Sequence, residues 1–198
     1  KFLAEKCPPK AVREVLDGKA PYDKALWKGL AEMGFLGVAI PEAFGGAGAG
    51  HLELCVIAEE MGRANAPVPF SSTVYLAAEV LLLAGSDAQK QKWLPKIASG
   101  DAIGTLALFE GKGNPSPKAI KLQASGGTLS GVKKPVPDGA IADFAVVAAR
   151  GHRAFPLARS APGPPVKILG LAKVGAPAAL IGVLFVLPIG GADMPVVI

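Results

Sequence analysis

The segment Thr105–Pro117, TLALFEGKGNPSP, combines the residue types of an anion-binding loop with a single carboxylate. An apolar run ends at Glu110, and glycine, lysine, asparagine and proline follow it. Such a backbone can turn its N–H groups toward a phosphate because few side chains stand in the way. The spacing is neither that of a P-loop nor that of a G-x-G-x-x-G dinucleotide motif. On spacing alone, the residues favour an ordinary turn after a strand over a phosphate-binding loop.

Other charged residues could contact a ligand, but their patterns are more typical of structural roles. Glu59 and Arg63 have the spacing of an ion pair along a helix, which favours a surface or interdomain contact over a substrate contact. Lys133 and Lys134 could attract a phosphate, although a lysine pair beside a hairpin is ordinarily solvated. Glu110 at a strand end indicates bonding to backbone or loop, and we do not assign it a catalytic role.

The histidines and cysteines form no recognisable ligand or disulfide pattern. His51 and His152 have no companions at metal-ligand spacing, so we predict no metal site. Cys7 and Cys55 lie far apart in the sequence and make no disulfide framework. We therefore expect a reducing compartment and predict a cytoplasmic location.

The composition is that of a globular protein, with 51% apolar residues among 198 and a formal net charge of +5. No dense basic stripe interleaved with aromatic residues is present, so we expect no nucleic-acid partner. Lys1–Lys10 is too charged for a signal peptide. The most apolar segment, Ala178–Leu187, is about half the roughly 20 residues that a membrane span needs. We expect a buried strand there and no membrane partner.

The first half of the sequence has helical periodicity. Asp23–Met33 repeats apolar residues at intervals of three and four, and Gly34 is the expected stop. Trp27 and Trp93 have helical neighbours and are expected to anchor the core. A second helix is predicted from one apolar stripe: Leu54, Ile57, Ala58 and Met61.

Two further helices are predicted before residue 100. Val74–Ala84 is apolar on nearly all sides, which indicates burial, and Ser71–Thr73 supply candidate N-caps. Ser86–Gln89 has the S-x-x-Q form of a capping box. We expect Pro95 to interrupt the helix that this box begins.

Beyond Gly100 the pattern changes to short strands separated by glycine and proline turns. The predicted strands are Ala102–Phe109, Ala119–Ala124, Thr128–Val132, Phe144–Ala149 and Gly182–Leu187. We predict an α+β fold, with an amino-terminal all-α domain at 1–100 and a β-barrel or β-sandwich domain at 101–198. Residues 151–181 hold no acidic residue and are rich in Pro, Gly and Ala. They are interpreted as an irregular insertion or an aberrant segment.

Four phrases carry a resemblance to a known family. They are LWKGLAEMGFLGVAIPEAFGGAGAG, AEEMGR, GSDAQKQKWLPKIASGDAIGTLAL and LSGVKKPVPDGAIADFAVVAAR. In order and spacing they resemble the amino-terminal and middle domains of acyl-CoA dehydrogenases, almost continuously over residues 1–150.

The resemblance implies FAD as the cofactor and two segments that line it. In the family, backbone N–H groups of the strand and loop corresponding to Leu106–Pro115 meet the flavin ring and the pyrophosphate, and a hairpin segment covers the ring. A flavin needs an apolar wall with a few fixed donors, because its reduction places negative charge on the ring. The implied cofactor-binding residues are Leu106, Ala107, Leu108, Phe109, Glu110, Pro115, Pro135, Val136 and Pro137.

The chain departs from the family pattern in both segments. The family usually has a threonine where Phe109 stands, and a serine and an aspartate where Pro115 and Ser116 stand. It has Trp-Ile-Thr where this chain has Pro135–Pro137. Phe109 offers no hydroxyl, and Pro115 offers neither a hydroxyl nor an N–H. The indole and the hydroxyl of the family's Trp-Ile-Thr are both missing from Pro135–Pro137. Gly131, Lys133 and Asp143 match the family, so the resemblance holds at the fold level and is weaker at the flavin site.

The family reaction removes two hydrogens from an acyl-CoA thioester and introduces an α,β double bond, with hydride passing to FAD. The implied partners are an acyl-CoA substrate, an electron-transfer flavoprotein as acceptor, and further subunits of a homo- or hetero-oligomer. The family's catalytic glutamate lies on a carboxy-terminal helical domain to which none of these residues corresponds, so no catalytic residue is predicted. Two alternatives stay open: a non-catalytic homologue with a degenerate flavin site that acts as a structural subunit, and a truncated remnant without ligand.

Overall fold

The computed structural model describes residues 1–112, 119–125, 128–129, 131–149, 183–187 and 196–197. The chain divides into two compact units. The first contains residues 1–70 and 91–101, and the second contains residues 71–90 and 102–198. The domain boundary predicted at residue 100 stays a prediction. The segment 71–90 belongs to the same compact unit as the strands.

Helices form the first unit. They are α1 (Phe2–Lys6), α2 (Pro9–Leu16), α3 (Lys24–Glu32) and α4 (His51–Arg63), with 3-10 turns at Phe35–Gly37 and Glu42–Phe44. Both predicted apolar stripes face the core of this unit, except that Met33 at the end of the first stripe is 38% exposed. Leu26 and Leu30 of α3 are buried, as are Leu54 and Met61 of α4.

Local capping fixes the ends of α3. The Asp23 carboxylate accepts a hydrogen bond from the Leu26 N–H at 2.9 Å, which satisfies a free donor of the first turn. Gly34 ends the helix with a φ of 75°, a left-handed conformation that glycine adopts without strain. The Trp27 indole N–H donates to the Gly100 carbonyl at 3.0 Å. Trp27 and Trp93 are buried, which confirms the prediction that they anchor the core.

The third predicted helix begins earlier than the sequence indicates. Ser71–Ala78 is a π-helix that continues directly into α5 (Glu79–Ala84). The prediction that Ser71–Thr73 cap this helix is wrong, because these residues lie inside it. Ser72 and Thr73 are fully buried and direct their hydroxyls to other segments of the second unit.

The fourth predicted helix is α6, which spans Asp87–Ala98. The capping box is confirmed: the Ser86 N–H donates to the Gln89 side chain at 2.6 Å, and the Gln89 N–H donates to the Ser86 hydroxyl at 3.4 Å. The expected interruption at Pro95 is wrong. Proline removes one hydrogen bond of the helix, and the burial of Leu94 and Ile97 on either side stabilises the continuous helix against that loss.

The strands follow the order of the apolar runs, but the strand predicted at Ala119–Ala124 is wrong over 119–123, because the chain forms no strand there and its strand begins only at Ala124. They are β1 (Gly104–Ala107), β2 (Ala124–Ser125), β3 (Thr128–Leu129), β4 (Val132–Lys133), β5 (Phe144–Ala149), β6 (Val183–Leu187) and β7 (Val196–Val197). One sheet has the order β1-β5-β6, in which β5 pairs parallel with β1 and antiparallel with β6. All six residues of β5 are buried, as expected for an uninterrupted apolar run at the centre of a sheet. Antiparallel pairs join β2 to β3 and β4 to β7.

A glycine allows the π-helix to approach β1. A Cβ atom on Gly104 would lie 2.6 Å from the Phe144 ring and 2.7 Å from the Ala77 Cβ. The Thr73 hydroxyl accepts the Gly104 N–H at 3.2 Å and donates to the Gly104 carbonyl at 3.1 Å. Both backbone groups of Gly104 that point away from β5 are therefore satisfied by one buried side chain.

The predicted α+β class is confirmed, with helices first and strands afterwards. The described strands form an open three-stranded sheet and two two-stranded pairs, and they do not close into a barrel. The irregular segment predicted at 151–181 lies outside the described residues, whereas the strand predicted after Gly182 corresponds to β6. Within the described part of the chain, no helix has both the length and the apolarity that crossing a bilayer requires.

Candidate functional site

The two segments predicted to line a cofactor lie side by side. Glu110, in the continuation of β1, forms a parallel bridge with Lys134 at the end of β4. The Lys134 N–H donates to the Phe109 carbonyl at 2.8 Å, and the Gly111 N–H donates to the Lys134 carbonyl at 2.9 Å. This short ladder brings the exit of β1 next to the start of Pro135–Pro137.

A buried ion pair lies beneath this ladder. The Lys133 ammonium is 2.6 Å from the Glu110 carboxylate, and the two side chains are 0% and 14% exposed. The same ammonium donates to the Leu108 carbonyl at 3.3 Å. The expectation that both lysines of the pair are solvated is therefore wrong for Lys133, while Lys134 is exposed. Lys133 is buried because Glu110 supplies the opposite charge that a buried ammonium requires.

The Glu110 carboxylate also binds backbone from a third segment. One oxygen accepts the Lys121 N–H at 2.8 Å, and the other accepts the Leu122 N–H at 3.0 Å. Bonding to backbone and loop is the role that the position of Glu110 indicated. We name this arrangement the carboxylate clamp: the side chains of Glu110 and Lys133 with the backbone of Leu108, Lys121 and Leu122.

The clamp changes the acidity of both side chains. Burial alone would raise the pKa of Glu110, but the hydrogen bond from Lys133 and the N–H groups of Leu122 and Lys121 outweigh it, so the pKa of Glu110 is lowered. Burial lowers the pKa of the Lys133 ammonium, and the bond and charge of Glu110 oppose this effect only in part. Glu110 is therefore a firmly ionised carboxylate and a weak base.

Two further hydrogen bonds hold the turn after β4. The Thr105 hydroxyl of β1 donates to the Pro137 carbonyl. The buried Ser72 hydroxyl donates to the Asp138 carboxylate at 2.6 Å. Asp138 has a φ of 50°, a left-handed conformation that aspartate tolerates better than most residues. The turn is thus tied both to β1 and to the π-helix.

The structure brings most of the predicted cofactor-binding residues into one region of the second unit. Leu106 and Ala107 lie within β1, and Leu108 and Phe109 follow it half-buried. Val136 is half-buried between two exposed prolines. Pro115 lies outside the described residues, so its predicted contact stays a prediction. The assignment of a cofactor to these residues likewise stays a prediction.

The chemistry that these residues offer is contact and positioning. Glu110 accepts three hydrogen bonds and is not available to remove a proton from a ligand. Leu108, Phe109 and Val136 present apolar side chains. Among the described residues, no group of three or more metal-ligating side chains is found.

Sequence reasoning missed the importance of Lys133. A signal was present, because Glu110 is the only acidic residue between Asp101 and Asp138, whereas this stretch contains five lysines. A buried lysine in this stretch would need Glu110 as its partner. The resemblance to the family singles out Lys133, but composition and periodicity do not distinguish it from Lys134, and the pairing of β4 decides which of the two points inward.

Comparisons with known proteins agree with this architecture. A family model described as the acyl-CoA dehydrogenase N-terminal domain matches residues 1–101. Mitochondrial isovaleryl-CoA dehydrogenase of Pongo abelii is 34% identical, and the match covers 82% of this chain and 42% of that protein. Acyl-CoA dehydrogenase FadE27 of Mycobacterium tuberculosis is 35% identical over 85% of this chain and 47% of its own length.

Solved structures give the same result. The ChsE4-ChsE5 complex from Mycobacterium tuberculosis contains a chain with a TM-score of 0.68 and 31% identity, matched over 98% of this chain and 52% of that one. Glutaryl-CoA dehydrogenase from Mycobacterium smegmatis has a TM-score of 0.64 and 28% identity, with 98% and 51% covered. The chain spans about half the length of these relatives. On these matches, it belongs to the acyl-CoA dehydrogenase family.

Proposed function

We propose that this chain forms the flavin-binding part of an acyl-CoA dehydrogenase. In this proposal Leu106–Phe109, the backbone of Glu110 and Pro135–Pro137 line one face of the isoalloxazine ring of FAD, and Pro115 lies in the loop toward the pyrophosphate. The observation that carries the proposal is the bridge between Glu110 and Lys134, which brings two distant segments into one surface. Family membership supports the choice of ligand, since reduced flavin is named in the structure of one related glutaryl-CoA dehydrogenase.

The described residues fit the apolar face of a flavin better than its polar edge. Leu108 and Val136 are half-buried and apolar. The N–H groups of Gly111 and Lys134 are engaged in the ladder, and Phe109 brings no side-chain donor. These residues therefore supply van der Waals contact and exclude water.

Bound FAD would supply the hydride acceptor for converting an acyl-CoA thioester into its α,β-unsaturated product. The chain's own contribution is to hold the ring by its apolar wall and to keep that wall in place through the clamp. Glu110 takes no part in proton removal, because its carboxylate is held by Lys133 and by backbone N–H groups. An acyl-CoA is the proposed substrate, and an electron-transfer flavoprotein is the proposed acceptor.

The cofactor test is a titration of the purified chain with FAD, followed by flavin fluorescence and visible circular dichroism. Val136→Lys places a charge on the apolar wall and should weaken binding by about tenfold or more. Leu83→Lys is the matched control, because Leu83 is 77% exposed in the same unit. A folded wild-type chain that leaves flavin fluorescence unchanged would contradict the proposal.

A second function, a non-catalytic subunit of a mixed oligomer, is favoured by the missing hydroxyls at Phe109 and Pro137 and the missing indole at Pro135. The matched chain of the ChsE4-ChsE5 structure is part of a complex, which supports assembly with another subunit. Loss of flavin absorbance on addition of an acyl-CoA supports the enzyme. A folded preparation that binds no FAD supports the subunit, and size-exclusion chromatography with light scattering measures its oligomeric state. The cytoplasmic location is also a proposal, and cell fractionation tests it.

A further inference from the structure

We propose that Glu110 and Lys133 are positioning residues that fix the geometry of the flavin wall through the carboxylate clamp. This inference rests on the proposed function. It assigns these two side chains a role behind the wall, with no contact to substrate.

The contacts of the clamp join three separate segments. Lys133 reaches the Leu108 carbonyl at the exit of β1, and Glu110 holds the N–H groups of Lys121 and Leu122. Gly131 allows Leu122 to come close, because a Cβ there would lie 2.5 Å from the Leu122 side chain. Glu110 lies two residues after Leu108, and Lys133 lies three residues before Val136. The bonds from Glu110 to Lys121 and Leu122 attach the third segment to both. Displacement of the clamp would therefore move the wall itself.

The chemistry of the pair favours a positioning role over a stabilising one. Apolar side chains of similar volume often stabilise a buried site as well as an ion pair does, and sometimes better. They cannot, however, hold a carbonyl and two N–H groups at fixed distances. The pair also balances its own charge, so it places no net charge behind a flavin ring that becomes more negative on reduction.

Because the two charges balance, removing one or the other should shift the flavin reduction potential in opposite directions. Lys133→Met leaves the Glu110 charge behind the wall, and a negative charge there makes the flavin harder to reduce. Glu110→Gln leaves the Lys133 charge, which makes the flavin easier to reduce at mildly acidic pH. If the two substitutions only damaged the structure, the reduction potentials of both variants would shift in the same direction or would not shift at all.

The experiment measures wild type, Lys133→Met, Glu110→Gln and the double variant that combines these two changes. The control is Glu59→Gln, which removes an exposed carboxylate from the Arg63 ion pair in the first unit. We expect FAD binding about tenfold weaker in each single variant, opposite shifts in reduction potential, and partial recovery in the double variant. Glu59→Gln should behave as wild type. Amide hydrogen exchange of Lys121 and Leu122 in the flavin-free chain should accelerate only in the clamp variants.

The outcomes separate this inference from the proposed function. Faster exchange at Lys121 and Leu122 with unchanged FAD affinity and potential overturns the positioning role and leaves flavin binding intact. A wild-type chain that binds no FAD overturns both, and the exchange data then report on the clamp as a structural element only.

Discussion

Two Glu–basic pairs in this chain show how burial changes the meaning of the same chemistry. In α4 of the first unit, Arg63 bonds Glu59 at 2.8 Å, and the two side chains are 67% and 70% exposed. In the second unit, Lys133 and Glu110 are 2.6 Å apart and nearly or fully buried. The first pair is predicted by helical spacing alone, whereas the second joins residues 23 positions apart.

The comparison shows that losing one partner of an ion pair costs little free energy when the pair is exposed to solvent and much more when it is buried. Solvent screens the α4 pair, so losing one partner leaves the other well hydrated. Lys133 cannot recover its hydration without opening the second unit, and Glu110, which is 14% exposed, can recover it only in part. Removing one partner therefore exposes the full desolvation cost of the other.

The largest expected effect is that of Lys133→Met. It leaves the Glu110 carboxylate buried without its counter-ion and should lower the free energy of unfolding by about 3–5 kcal/mol. Chemical denaturation followed by far-UV circular dichroism measures the change. Glu59→Gln, the matched change in α4, should cost less than about 0.5 kcal/mol. Equal losses in the two variants would show that burial does not distinguish the pairs.

Gly104→Ala extends the comparison from charge to packing. The added methyl group meets the Phe144 ring and the Ala77 Cβ, both of them buried. We expect a loss of about 1–3 kcal/mol because the π-helix must move away from β1. Faster amide exchange at Thr105, with α4 unchanged, would locate the damage in the second unit. An unchanged denaturation midpoint would contradict the close packing.

Acid should weaken the second unit through Glu110. Its pKa in the folded protein is below the usual 4.5, so the unfolded chain binds the proton more tightly. The pair's contribution is therefore complete above the usual pKa and is lost as the pH falls through the lowered value. Denaturation of wild type and Glu110→Gln across this range should show a shallower acid loss in the variant.

The smallest effect is a gain of stability in the first unit. Gly62 lies in α4, and a Cβ there would meet nothing within 4 Å. Gly62→Ala should stabilise by about 0.5–1 kcal/mol, because alanine has less backbone freedom to lose than glycine. The thermal midpoint measures it, and a decrease would indicate a contact that the open surface does not reveal.

Much of the fold follows from local sequence. The stripe of Leu54 and Met61, the capping box at Ser86 and Gln89, and the apolar run of β5 all appear where their patterns predict them. Local rules failed at two points. Pro95 does not interrupt α6, and Ser72 and Thr73 are buried side chains of a π-helix instead of caps. In both cases tertiary packing outweighs a local preference.

The candidate site divides in the same way. The resemblance to the family identified the segments around Leu108 and Val136 as candidate cofactor-binding segments, but it did not show how the two segments pack together. That depends on the bridge between Glu110 and Lys134, a pairing between residues that are distant in sequence. The inward direction of Lys133 follows from the same pairing.

The sequence by itself determined helices α3, α4 and α6, the buried strand β5 and the membership of the family, because these depend on the order and periodicity of side chains along the chain. The tertiary structure alone decided which lysine is buried and which carboxylate is held as an anion. Both depend on the removal of water by segments that are distant in sequence. No local pattern encodes that burial, and it changes the energy of a charge more than any helix or strand preference does.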